Sequence, residues 1–184
     1  GGDVSVAAVG IFITYTSLLS TIVVGICQGM QPIVGYNYGA KRLDRLSKAF
    51  WLSVVAGSVV TAIGWVIGQF FPEYIAKMFT DDIELINATS NGLSISMTMF
   101  WVVGFQIVAG GFFQYIGRAP LAMLLSTTRQ LLFLLPLLLT LSPKYGAMGA
   151  WMSMPLADAA AVIVAGTLLF LQIRKFKRLE REQL

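Results

Sequence analysis

The chain has 184 residues, 57% of them hydrophobic and 12% charged, with a mean hydropathy of +0.76. The charged share is about half that of a soluble domain, and the apolar residues fall in blocks of roughly 20 or more, each long enough to cross a hydrocarbon core. That excludes a soluble domain. The formal net charge of +4 lies mostly in links and at the C-terminus, so it bears on membrane orientation and not on nucleic acid.

There is no histidine and one cysteine, Cys27, inside an apolar run. A disulfide framework is excluded, and a His/Cys metal site is not expected. Cys27 reads as a small buried apolar residue. The chain opens Gly1-Gly2-Asp3 without a basic n-region, so the first apolar run does not read as a signal peptide, and the chain reads as a fragment of something longer.

The expected fold class is all-α, a polytopic membrane protein with five transmembrane helices. The first span, 4–36, is longer than one crossing needs and is expected to tilt or to lie partly outside the core. Its inner end merges into residues 28–45, QGMQPIVGYNYGAKRLDR, a mixture that lipid burial does not call for. Gln28, Gln31 and Gly35 fall at i, i+3 and i+7 on one face, and Pro32 should bend the inner third. A basic link follows, with Lys41, Arg42, Asp44, Arg45 and Lys48.

The second span, 49–71, is stopped by Pro72, and its Gly64 and Gly68 form a small-xxx-small face for a neighbouring helix. Residues 73–84 are acidic and read as an exposed loop, with Asp81 and Asp82 placed to cap the next helix. In the third segment, 83–91 reads as amphipathic and interfacial, and the span proper as 93–116. Its Met97, Phe100, Trp101, Phe112 and Phe113 read as packing and lipid contact, or as the wall of a drug pocket. Trp51 and Trp151 sit near span ends, as interfacial anchors do.

Pro120 suits the first turn of the fourth span, 121–141, and Pro136 should kink it. Ser142-Pro143-Lys144 is expected to end it. The fifth span, 147–170, leads into a basic tail, 171–184. Lys41, Arg42, Arg45, Lys48 and Arg118 share one side with Arg174, Lys175, Lys177, Arg178 and Arg181; the other side holds Lys77 and Lys144. By the positive-inside rule the C-terminus is cytoplasmic.

No P-loop, GxSxG elbow or HExxH sequence occurs, and the usual catalytic bases are missing, so an enzyme is not expected. What remains is a set of polar residues within spans: Gln28, Gln31, Gln106, Gln114, Arg129, Gln130 and Asp158. Each glutamine either bonds a neighbouring helix, worth ~0.6 kcal/mol, or lines a substrate cavity. Arg129 and Asp158 carry a higher cost, at least ~2.5 kcal/mol each in a span, and need a partner or water. Counted from their cytoplasmic ends their depths differ by roughly 9 Å, so a direct pair requires an extended arginine or offset helices. Asp158 reads as a proton or cation site, or as a satisfied partner.

Residues 25–45, GICQGMQPIVGYNYGAKRLDR, resemble the segment opening the second half of multidrug and toxic compound extrusion (MATE) transporters. The motif residues are Gln31, Pro32, Gly35, Tyr36, Asn37, Gly39, Ala40 and Arg45. Gly104-Phe105-Gln106, Phe112-Phe113-Gln114, Arg129-Gln130, Pro136, Gly149-Ala150-Trp151, Pro155 and Asp158 continue the resemblance in order. The similarity is strongest to the bacterial branch of DinF-like and MepA-like proteins.

The resemblance implies a multi-pass protein of the cell inner membrane with twelve helices in two six-helix bundles. The five spans here would be the last five, forming most of the second bundle, with the whole N-terminal bundle and the helix opening the second bundle absent. It implies export of small organic cations or amphipathic compounds in exchange for H⁺ or Na⁺, with no other cofactor. The usual coupling acids of this branch lie in the first bundle; the third span here has none. The face carrying Gln28, Gln31, Pro32 and Gly35 would line or hinge the cleft, and Gly35 and Gly39 would be packing contacts. Without the other bundle that side should be exposed. Alternatives are a lipid-linked sugar flippase of the same superfamily, or a non-transporting scaffold or gene fragment.

Overall fold

The computed structural model describes residues 2–181, with side chains described through Phe176. No strand occurs among the described residues. Helix α1 is Gly2–Gly39, α2 Leu43–Phe70, α3 Pro72–Lys77, α4 Ile83–Tyr115, α5 Ala119–Tyr145 and α6 Ala147–Arg181. All but α3 are long and apolar enough to cross a membrane.

At 38 residues α1 is about 57 Å long, well beyond a hydrocarbon core of about 30 Å. It continues unbroken through Pro32. The turn to α2 is tight: Lys41 has φ 55°, and the Arg42 N–H donates to Asn37 O at 2.9 Å. Helix α2 then begins at Leu43, not at residue 49, so Asp44, Arg45 and Lys48 are helical. Asp44 in the first turn suits the positive end of the helix dipole and makes an early start favourable.

Gly57, Thr61, Gly64 and Gly68 form one buried stripe down α2. A Cβ on Gly64 would meet the Leu19 side chain, and one on Gly68 would sit 2.8 Å from Met97 Cε. Gly104 of α4 lies against the same stripe, where a Cβ would sit 2.6 Å from Thr61 Oγ1 and 2.7 Å from the Gly57 carbonyl carbon. The glycines let these backbones approach, as in other membrane helix pairs.

Residues 73–84 are not wholly an exposed loop. Residues 72–77 form α3, and its Ile75 and Ala76 are buried against the bundle, which draws the segment down. Asp82 caps α4 by accepting from the Glu84 N–H at 2.9 Å. Residues 83–91 are continuous with the third span and bury Ile86 and Thr89 within the bundle. The middle of α4, Met97–Val102, tightens to a 3-10 helix, and the Thr61 hydroxyl lies within donating distance of Trp101 O at 3.1 Å.

Helix α5 widens to a π-helix over Thr128–Leu134, where the Leu135 N–H donates to Gln130 O. Pro136 follows at once and cannot donate, and its ring crowds the preceding turn, the usual cause of such a distortion. Ser142-Pro143-Lys144 does not end the helix. It runs to Tyr145, and Gly146 at φ 61° stops it, a conformation glycine adopts freely. The tail predicted from residue 171 continues α6 to Arg181; the side chains of Lys177, Arg178 and Arg181 lie outside the described residues.

Two apolar clusters hold the bundle. One gathers Cys27, Met30, Phe50, Phe112, Leu169 and Phe176. The other gathers Phe12, Leu93, Met97, Phe100 and Trp151. Trp151 is therefore no interfacial anchor: it is buried edge-on to Phe12, with ring centroids 5.7 Å apart, and the missing side chain of Gly92 makes room for its ring. Trp51 is half exposed.

Candidate functional site

The polar residues predicted within spans separate into two places. Gln28 and Gln31 are exposed on α1, beside exposed Ile33 and Tyr36. Only 17% of the most apolar stretch of α1 is buried, so this helix offers a long open face. Gly39 does not pack as expected: it is exposed, and a Cβ there meets nothing within 4 Å. Gly35 touches only the Tyr115 carbonyl, at 3.9 Å from a built Cβ. Asn37 is buried, its Nδ2 donating to Ile33 O at 2.8 Å, and its Oδ1 has no partner among the described residues. Tyr36, Ala40 and Arg45 are exposed.

The second place lies between α4, α5 and α6. Gln106, Gln114, Arg129 and Gln130 line one cavity of about 540 Å³, a common size for a small-molecule site. Asp158 lies behind it. The Arg129 Nε donates to Asp158 Oδ1 at 2.7 Å, and the Gln106 Nε2 donates to the Asp158 backbone carbonyl at 2.7 Å. The arginine side chain keeps 39% of its exposure while the aspartate keeps 5%. The pair thus buries its anion and leaves its cation at the cavity wall.

The depth offset counted from the helix ends required an extended arginine or offset helices for a direct pair. The pair forms, with Gln106 of α4 and Arg129 of α5 both meeting Asp158 of α6 at one level of the bundle. Arg129 also lies in the π-helical turn, whose extra residue turns the following side chains by about 100° relative to an α-helix. Pro136 lies just beyond that turn, outside the cavity.

Sequence reasoning missed the small residues that open this space. Gly110 and Gly111 on α4 face Ala119 and Ala122 on α5 and Ala161 and Ala165 on α6 around the cavity. The signal was available, since Ala161 and Ala165 are four apart, on one helix face. It also missed two orphans: Gln106 Oε1 and Thr128 Oγ1 are buried with no hydrogen-bond partner among the described residues. No cluster of metal-binding side chains occurs among the described residues.

Comparison with known proteins places this architecture. A family model, MatE, matches residues 2–139. The chain is 23% identical over 173 residues to the multidrug export protein MepA of Staphylococcus aureus (strain MSSA476), a match covering 92% of this chain and 37% of MepA. It superposes on the MATE multidrug transporter DinF-BH with a TM-score of 0.82 at 36% identity, covering 92% of this chain and 38% of that one. An outward-facing MATE family multidrug resistance transporter of the MOP superfamily shares the fold, with a TM-score of 0.88 at 18% identity over 97% of this chain and 40% of its own. The chain thus spans well under half the length of the relatives it matches. With the family match running through four of its five long apolar helices, the chain belongs to the MatE family and is a multi-pass membrane protein.

Proposed function

We propose that the protein carrying this chain is a secondary antiporter that exports cationic or amphipathic compounds in exchange for H⁺ or Na⁺. The observation that carries this reading is the 36% identity to the multidrug transporter DinF-BH over 92% of the chain. The relation to MepA, a multidrug export protein, supports it. The open face of α1 supports it as well: a bundle that met only lipid would gain nothing from exposing Gln28 and Gln31 there. In this reading a second bundle of the same protein covers that face, and the two rock against each other to alternate access. The links after α1 and α4 and the C-terminus lie in the cytoplasm, on the side rich in lysine and arginine.

A sugar-pyrophosphate flippase needs free cationic charge in its cleft. Arg129, deep within α5, lies in the α4–α5–α6 cavity and not on the open α1 face, where exposed Gln28, Gln31 and Tyr36 carry no charge. The antiporter reading therefore stands ahead. It is tested with the intact protein in vesicles loaded with a cationic dye. Efflux driven by a proton or a sodium gradient is expected, and a chain that moves no dye under either gradient is not this antiporter.

A further inference from the structure

The cavity between α4, α5 and α6 has a chemistry of its own, independent of the antiporter reading. Among the described residues its one charged lining residue is Arg129, and no acid lines it. The Asp158 carboxylate is 95% removed from solvent behind the guanidinium and offers a cation nothing. A guanidinium has five N–H donors in a fixed fork. Asp158 takes the one on Nε, and no other hydrogen bond from Arg129 occurs among the described residues. The edge away from Asp158 therefore keeps paired N–H groups that match a carboxylate or phosphate in a bidentate bond. Gln114 and Gln130 add amides to the same wall, and Ile107, Met123 and Leu125 add apolar surface.

The cavity starts at Ala119, the first residue of α5, and reaches Arg129 ten residues on, about 15 Å deeper. We propose that it binds an amphipathic anion, with its acidic head on Arg129 and its hydrocarbon along the apolar wall. An organic cation, the charge type expected at the bundle interface, is disfavoured here because it would meet only the positive edge of a paired arginine.

The test is equilibrium binding to the intact protein in phosphatidylcholine nanodiscs. Dodecanoate is the probe, and dodecyltrimethylammonium is the chain-matched cation. Dodecanoate should bind at least roughly tenfold more tightly. Gly110 lines the cavity, and a Cβ built on it meets nothing within 4 Å, so Gly110→Leu starts a side chain into open space and occupies part of the cavity while keeping both partners of the Arg129–Asp158 bond. It should weaken dodecanoate binding roughly tenfold. Gly166 is equally open but lies outside the cavity lining, so Gly166→Leu should bind as the unaltered protein does. Nanodiscs of phosphatidylglycerol separate the two sources of an acidic head. If that lipid blocks dodecanoate, the site takes a lipid headgroup; if it does not, the site takes a free acid. Equal binding of anion and cation, or full binding by Gly110→Leu, overturns the proposal.

Discussion

The Arg129 guanidinium on α5 and the Asp158 carboxylate on α6, 29 residues apart, are joined by one hydrogen bond of 2.7 Å inside the apolar bundle. Each is the reason the other can be there. Removing one partner leaves a buried charge without compensation, which costs about 3 kcal/mol or more. Arg129→Leu should therefore destabilise the intact protein by about that amount in a denaturant titration in micelles. Arg129→Leu with Asp158→Leu should recover most of the loss. Equal losses in the single and double variants would show that the pair is not what holds this position.

The Gly104–Gly57 crossing makes a steric prediction. A methyl on Gly104 would overlap the Gly57 backbone, which cannot move aside as a flexible side chain could. Gly104→Ala should cost about 1–3 kcal/mol. Gly39→Ala, with open space around it, should be neutral or gain up to about 1 kcal/mol through helix propensity. Thermal unfolding of the two variants side by side decides this.

The two tryptophans near span ends should differ in the same assay. Trp151→Ala empties a packed site between Phe12 and Gly92, and the cavity left behind costs on the order of 3 kcal/mol. Trp51 is 47% exposed, and Trp51→Ala should stay within about 1 kcal/mol. Equal losses would mean that Trp151 does not pack as described.

Gln31 is exposed and makes no bond to the rest of the bundle among the described residues. Gln31→Ala should change stability by less than about 0.5 kcal/mol while lowering dye efflux several-fold. Unchanged efflux would remove Gln31 from the translocation path.

The sequence by itself determined five spanning helices, because unbroken apolar runs bounded by charges have few alternatives in a bilayer. It also determined the Asp82 cap, which depends on residues next to each other in the chain. Orientation was argued from charge asymmetry and rests on that argument. Only the tertiary structure decided which polar residues meet. Gln28 and Gln31 stand on the open side of α1, and Gln106, Gln114 and Arg129 surround one cavity. Only it showed Trp151 in the core, Gly39 in the open and Ile75 buried beneath a segment read as a loop. The physical reason is common to all of these. A lipid-facing and a core-facing residue of a membrane helix are equally apolar, so hydrophobic periodicity cannot say which face turns inward. The relative offset and rotation of the helices is set by close packing at glycines and by local π and 3-10 turns, and neither is visible until the helices are placed side by side.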